Sequence, residues 1–389
     1  MKILHLFSDW KWTGPSEPVL NLCKELEKRG HDVTLAYRRP PFPFEESLEK
    51  KVKEEGVKAT DRFHLNHVLK LTHPSFLWDN LHDYLNLGRY LREEKFDILN
   101  VHQSHDHILG GMVSSRAYPA TLVVRTDHKR DFITPGFGNR LLISRFTDGL
   151  ITFSEKARRE DSRNFGVPEE RVGRITAALD LSRYDPSGKF KKMRDIFGIG
   201  DDETVIGMVA RFQKYRRTDQ FLEAVKSIIN EFPKIRLLLV GRSGQMEESV
   251  VKPMKRLGIE KWVVLAGYRE EDYIDTLACM DIFVFLMAGS DGTARALREA
   301  MAMGKPCIVA DRGILPDLVS HGVSGMVVQD TPGALREATI QLLRNREKRL
   351  EMGMAAYQKA HQEFRLDRQA AAVEDFYREM KELGKWKPK

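Results

Sequence analysis

A chain of 389 residues is long enough for two domains, each burying a core of its own. With 42% hydrophobic and 31% charged residues and no run near ~18 apolar positions, the composition is that of a globular protein and excludes a transmembrane helix. The net charge of +7 is spread over both halves with no basic arm, which argues against a nucleic-acid partner and leaves phosphate or anionic lipid.

The opening MKILHLFSDW carries one Lys and a short apolar run, too little for a signal peptide, and predicts a first buried strand. Cys23, Cys279 and Cys307 follow no pairing motif, so a reducing, cytoplasmic setting is expected. Strand-length apolar runs alternate with amphipathic stretches, the pattern of parallel α/β folds. KILHLF is followed by a helix, VLNLCKELEKRG, that closes at Gly30, and then by the strand DVTLAY. FDILNVH, ATLVVRT and DGLITFS continue as short buried strands. The segment SRYDPSGKFKKMRDIFGIGDDE loosens into Pro, Gly and charge and reads as a linker. The alternation then restarts with TVIGMVAR, IRLLLVGR, WVVLAG, DIFVFL and PCIVAD as strands. A last amphipathic helix, LDRQAAAVEDFYREMKEL, is expected to cross back to the first domain.

Two such sheets in succession predict an α/β protein of two Rossmann-like domains with parallel sheets facing a cleft. The expected boundaries are 1–185, 186–365, and 366–389 for the returning helix. Ligands of open parallel sheets bind at the carboxyl ends of strands.

The stretch GSDGTARALREAMAMGKP, residues 289–306, connects such an end to a helix. Amide groups of a first helical turn have no intrahelical acceptor, and the helix dipole favours negative charge there. Gly292 and Thr293 therefore suit a diphosphate. Ala294, Leu297 and Met301 share one helical face, which places Glu299 on the other. Gly304 and Pro306 stop the helix.

This stretch resembles glycosyltransferase family 4, whose members carry an E-x7-E element followed by A-M-A-x-G-x-P. Asp291 and Glu299 stand at the two acidic positions. VARFQKYRRTDQFLEA is similar to the family's G-R-L-x-x-x-K-G, with Arg211 at the Arg and Arg216 at the Lys. RITAALDLSRYDP resembles I-P-N-G-V-D-x-x-R-F, and GILPDLVSHGVSGMVV resembles G-G-x-P-E-I-V with its following strand. VVRTDHKRD resembles the T-x-H segment, with His128 at the active-site His, and His102 in DILNVHQSHDH matches a second histidine position. Similar motifs run from residue 1 to about 378, so the resemblance covers nearly the whole chain.

The resemblance implies the two-domain GT-B fold and a retaining glycosyltransferase that uses a UDP- or GDP-linked sugar. Arg211 and Arg216, with Gly14, Gly292 and Thr293, would hold the donor diphosphate. Glu299 would take the ribose hydroxyls and Asp291 those of the transferred sugar. His128 and Asp291 would act in catalysis, and His102 would lie on the acceptor side. Tyr268 and Arg269 would flank the base. A glycan or lipid-linked acceptor is implied, with the Pro-rich loop RRPPFPFEE (38–46) as a place of peripheral contact at the inner face of a membrane.

No D-x-D string occurs, which agrees with leaving-group stabilisation by cations and amides and no metal cofactor. Four departures from the pattern stand out: Asp291 for Glu, Arg216 for Lys, Ala177–Ala178 for Asn-Gly, and TGPS for the G-G-A-E loop, where Gly14 alone survives. They motivate an alternative, a catalytically silent GT-B protein that binds nucleotide or glycan. A third reading starts from HQSHDHILGG, which resembles the H-x-H-x-D-H-x-x-G-G signature of metallo-β-lactamase-like hydrolases. There Ser104 takes the place of the second His, and His105 comes one position late.

Overall fold

The computed structural model describes residues 1–12, 14–66, 74–118, 120–129, 132–289 and 293–386. Two compact units divide the chain: Met1–Ala178 together with Leu366–Lys389, and Leu179–Arg365.

The first unit is built on a seven-stranded sheet of β1 (Lys2–Phe7), β2 (Asp32–Tyr37), β3 (Ala59–Thr60), β4 (Ile98–Val101), β5 (Leu122–Thr126), β6 (Gly149–Thr152) and β7 (Val172–Arg174). Its order is β3-β2-β1-β4-β5-β6-β7, with every pairing parallel. Such strands are covered on both faces, which is why they read as apolar runs. Ile3 and Phe7 of β1 enter one core layer and Leu4 and Leu6 the other, as the two-residue period requires. His5 lies on the face of Ile3 and Phe7 and is fully buried.

The helix Leu366–Leu383 completes this unit. Val373, Phe376, Tyr377 and Met380 join the core layer of Ile3 and Phe7. Two glycines make its seat: a Cβ on Gly149 would meet Met380 Sδ at 2.7 Å, and one on Gly173 would meet Phe376 Cδ2 at 2.9 Å. Glu374 pairs with Arg29 at the end of the helix Ser16–Lys28. Asn100, from the middle of the sheet, donates to the Tyr377 hydroxyl.

The second unit carries six parallel strands: β8 (Thr204–Val209), β9 (Ile235–Val240), β10 (Val263–Gly267), β11 (Ile282–Phe285), β12 (Cys307–Ala310) and β13 (Gly325–Val328). Their order is β10-β9-β8-β11-β12-β13. Just past β9, Gly241 has φ 138°, and a Cβ there would lie 2.0 Å from the Ala210 carbonyl oxygen. Only glycine lets the ends of β8 and β9 approach this closely.

The segment read as a linker lies inside the second unit. The division falls ahead of it, at Ala178–Leu179, because the chain is already committed to second-unit contacts. Leu179 N–H donates to the Phe364 carbonyl at 2.8 Å, and Tyr184 and Met193 are buried. Among the described residues, no helix is long and apolar enough to cross a membrane.

Candidate nucleotide-sugar site

Each sheet reverses its strand order once, between β1 and β4 and between β8 and β11. At such a switch point adjacent connections leave the sheet in opposite directions and open a crevice at the carboxyl ends of the strands. Gly14, His102, Arg211, Arg216 and Thr293 fall at these two places, while His128 follows β5, and Tyr268 and Arg269 follow β10.

In the second unit, β8 runs out into Arg211, which is exposed, and then into a 3-10 turn, Lys214–Arg216. Arg216 is 8% exposed, and its Nη1 donates to the Met287 carbonyl at 2.5 Å. That bond ties the loop after β8 to the loop after β11, so a guanidinium stands at the switch point itself. Arg217 follows with φ 60°, a left-handed conformation, at the position where the family string has glycine. Its guanidinium pairs with Asp330 at 2.8 Å, and Asp330 is also gripped by Arg312 through two bonds of 2.9 Å.

The loop after β11 arrives at Thr293, which is buried, and at Ala294, which has φ 50° and ψ 47°. A non-glycine residue in this region stores about 1 kcal/mol of strain, and such strain gathers at functional sites. Ala294 turns the chain so that the helix Arg295–Ala302 starts at once, its first-turn amides directed back toward the loop. Arg298, fully buried, donates from Nε to the Thr293 carbonyl at 2.9 Å and fixes the loop from behind. Asp291 and Gly292 lie outside the described residues.

Glu299 lies on the helical face opposite Leu297, and that face is covered as well. It is 4% exposed, because the helix is covered on more than one side: Arg298, Ala300 and Met301 are buried with it, and the helix packs against Arg346–Glu363. Its Oε1 accepts from Tyr184 Oη at 2.9 Å and from Arg295 Nε at 2.8 Å, and its Oε2 accepts from Tyr273 Oη at 2.5 Å. A carboxylate offers about four acceptor positions, so three are taken. A ribose hydroxyl can use the remaining one or replace Arg295, whose side chain is 31% exposed. Burial first, and then the Glu299 charge, push both tyrosine hydroxyls above their ordinary range, which keeps them donors. Tyr268 is exposed with the Arg242 guanidinium 4.3 Å from its ring, whereas Arg269 is held by Asp272.

In the first unit, Gly14 is exposed in the turn between β1 and the helix Ser16–Lys28. His102 follows β4 directly and is buried, and His128, two residues past β5, is half-buried. They are joined, His102 Nδ1 to His128 Nε2 at 3.0 Å, and His102 Nε2 meets His5 Nδ1 at 2.9 Å. Burial lowers the His128 pKa to about 4 and that of His5 to about 3. For His102 burial comes first and its two neighbours add to it, taking it well below 6.5. Three neutral imidazoles thus stand in a row.

The metal-ligand reading of HQSHDHILGG meets a different arrangement. Asp106 accepts the Gln103 N–H at 2.9 Å at the start of the helix Ser104–Ala117. His107 Nδ1 faces Arg125 Nη1 at 3.0 Å, and its Nε2 meets Thr147 Oγ1 at 2.6 Å. A guanidinium against one nitrogen and a hydroxyl against the other leave His107 no atom for a cation. Among the described residues, the side chains close enough to share an ion are His64, His82 and Asp83, elsewhere in this unit.

Two Rossmann-like units, each on a parallel sheet with one switch point, are the architecture of the GT-B fold, and the family follows from comparison with known proteins. The family described as Glycosyltransferase Family 4 matches residues 13–183, and Glycosyl transferases group 1 matches residues 189–359. The chain belongs to glycosyltransferase family 4. It is 25% identical to the N-acetyl-alpha-D-glucosaminyl L-malate synthase of Bacillus anthracis over 92% of this chain and 91% of that one. It is 26% identical to an Escherichia coli UDP-Gal:alpha-D-GlcNAc-diphosphoundecaprenol alpha-1,3-galactosyltransferase, over 63% and 65% of the two chains. Among solved structures, Anabaena Alr3699/HepE in complex with UDP superposes with a TM-score of 0.75 at 21% identity, covering 96% of this chain and 99% of that one. A glycosyltransferase from Rickettsia africae gives 0.79 at 15% identity, covering 97% and 98%.

Sequence reasoning missed Tyr184, Tyr273, Arg298 and His5. The two tyrosines lie 115 and 26 positions from Glu299 and carry no local signal. His5 is embedded in an apolar strand and reads as core.

Proposed function

We propose that the protein transfers a sugar from a UDP- or GDP-linked donor to a glycan or lipid-linked acceptor with retention at the anomeric carbon. The second unit, residues 179–365, serves the donor, and the first serves the acceptor. The observation that carries this reading is Arg216, whose bond to the Met287 carbonyl sets a guanidinium at the second switch point beside a helix start. The departing nucleoside diphosphate gains negative charge in the transition state. Guanidinium groups fixed in advance, with first-turn amides, stabilise that charge without reorganising. Arg211 and Arg216, with Gly14, Gly292 and Thr293, hold the diphosphate; Glu299 takes the ribose and Asp291 the sugar hydroxyls.

In front-face substitution the acceptor oxygen bonds to the anomeric carbon as the carbon–phosphate oxygen bond breaks. The acceptor proton passes to the departing phosphate oxygen. His128 assists by hydrogen bonding. No metal is required, so transfer persists in EDTA. The aromatic group Trp10, Phe42 and Phe44 supports peripheral membrane contact: the rings pack edge to face at 5.4–6.2 Å, Phe42 and Phe44 are exposed, and Lys11 lies over Trp10.

The test is thermal unfolding with UDP, GDP, ADP, CMP or zinc. At 100 times its dissociation constant a ligand stabilises by about 2.7 kcal/mol, enough to raise the midpoint by a few degrees. UDP or GDP should do so in the parent and not in Arg211→Ala, a change at an exposed position that spares the core. No shift with any nucleotide would leave the silent GT-B reading in its place, and a shift with zinc alone would revive the metal site.

A further inference from the structure

The row of histidines does more than fill a crevice. His5, His102 and His128 come from the neighbouring strands β1, β4 and β5, so the row crosses three strands of the sheet. Both ring-to-ring bonds use the same atoms in the same order: Nδ1 of the inner ring meets Nε2 of the next. His5 and His102 stack at 5.2 Å, Phe7 packs edge-on against His102 at 6.1 Å, and Phe153 lies 5.5 Å from His128. These rings shield the row from water. The charged groups that act on His128 are Asp127, which favours its protonation, and Arg125, which opposes it, and the two are paired with each other at 2.9 Å.

A neutral imidazole has one N–H and one bare nitrogen. Each bond in the row needs one of each, so the three tautomers cannot be chosen independently. Either all three rings carry the proton on Nδ1, or all three carry it on Nε2. The inner end decides. His5 Nε2 is buried and meets no hydrogen-bond partner among the described residues. Orphaned buried N–H groups are rarer than orphaned acceptors, so the bare nitrogen belongs there. His5 then donates from Nδ1, His102 passes the same state on, and His128 receives a proton donor at its Nε2.

We propose that His5 and His102 are positioning residues that fix the tautomer of His128, so that it acts as an Nδ1–H donor to a hydroxyl oxygen of the sugar or acceptor and not as a base. This rests on the transfer role given to His128 above. Such a donor strengthens a bond to an oxygen that gains charge, and it needs no proton to move along the row. The low pKa values of the three rings keep the imidazolium form, which would break the alternation, out of the neutral range.

The full-length protein labelled with 15N-histidine tests the inference without any ligand. Two-bond proton–nitrogen correlation at neutral pH separates Nδ1–H, Nε2–H and imidazolium rings, and loss of a signal in His128→Ala assigns that ring. The expected result is Nδ1–H at His5, His102 and His128 in the parent. In His5→Phe, which keeps the ring shape but removes the inner donor, the His128 proton should move partly or wholly to Nε2. In His5→Asn, whose amide nitrogen lies near the place of Nδ1, His128 should remain Nδ1–H. A purely structural role for His5 would leave the His128 tautomer where it was in both variants.

An Nε2–H or imidazolium His128 in the parent overturns the proposal, as does an unchanged tautomer in a folded His5→Phe. Should His5→Phe fail to fold, His5→Leu, which also removes the inner donor, is read in its place, with an unchanged His128 tautomer again overturning the proposal. The UDP or GDP midpoint shift should be the same in His5→Asn as in the parent. Absence of that shift in the parent would sink the transferase reading while leaving the tautomer result standing, so the two fail separately.

Discussion

The two switch points occupy the same topological place in two similar sheets, yet their chemistry is opposite. Between β8 and β11 the site is cationic: Arg211 and Arg216 on one loop, a helix start on the other, and two non-glycine residues, Arg217 and Ala294, in left-handed backbone. Between β1 and β4 it is neutral: buried imidazoles joined nitrogen to nitrogen, all with lowered pKa. A departing diphosphate needs fixed positive charge. An attacking hydroxyl and a neutral sugar need directional donors that do not compete for the proton. One fold can carry both kinds of loop because the loops at strand ends vary without disturbing the sheet.

The sharpest way to break this contrast is to remove the cation. Arg216→Ala should lower kcat/KM by ~10³-fold and weaken UDP or GDP binding, since it deletes charge-assisted donors from the leaving-group site. Arg216→Lys should recover part of the loss, with charge restored and the fork absent. Steady-state rates with calorimetric nucleotide binding measure both. An unchanged nucleotide affinity in Arg216→Ala would remove the second switch point from the donor site. Next comes His128→Ala, expected to slow transfer by ~10²-fold while leaving nucleotide affinity intact. A parallel fall in both quantities would mean that the two crossings are not chemically separate.

Acid should act on the first unit. His5 and His128 have folded pKa values of about 3 and 4, and His102 and His107 lie well below the 6.5 of an unfolded chain. Their contribution to stability is present above pH 6.5 and is lost as pH falls toward the folded values, because the unfolded chain binds the protons. Asp106 and Asp161, raised to about 7 chiefly by burial, act in the opposite sense between pH 4 and 7. Four histidines outweigh two carboxylates, so denaturant midpoints should fall from pH 6.5 to pH 5. A midpoint that rises over that range would contradict the buried neutral row.

Two smaller effects test the edges. Replacing Phe42 and Phe44 together by Ser should reduce binding to anionic vesicles about tenfold in a sedimentation assay, the worth of partly burying exposed aromatic surface. Ala294→Gly should change stability by less than about 1 kcal/mol, since relief of left-handed strain and loss of backbone restriction nearly cancel. Ala294→Val should cost more, because a branched side chain tolerates φ 50° poorly.

The sequence alone revealed the strands that are buried on both faces, since KILHLF and IRLLLV can be little else. β3, with two residues, and β7, with three, sit at sheet edges and carry too few side chains to make a pattern. The positions of Arg211, Arg216, Thr293 and His128 came from strings of matched residues, and their surroundings did not. Periodicity placed Glu299 opposite Ala294, Leu297 and Met301 but gave no sign that this second face is covered too, since it describes one contact surface and this helix has more than one. His5 was invisible for a related reason: a histidine inside an apolar strand looks like a tolerated exception until the strands beside it bring two more rings to the same place.

The helix Leu366–Leu383 has a consequence for biosynthesis. The first 178 residues leave the ribosome long before the strip of Val373, Phe376, Tyr377 and Met380 that covers one side of their sheet. The second unit is complete once residue 365 has emerged, so the half made first is the half finished last. Until then Gly149 and Gly173 form an open apolar groove, a surface on which a chaperone or another nascent chain can settle. Nonsense codons or proteases that remove Leu366–Lys389 would therefore leave the second unit whole and the first uncovered.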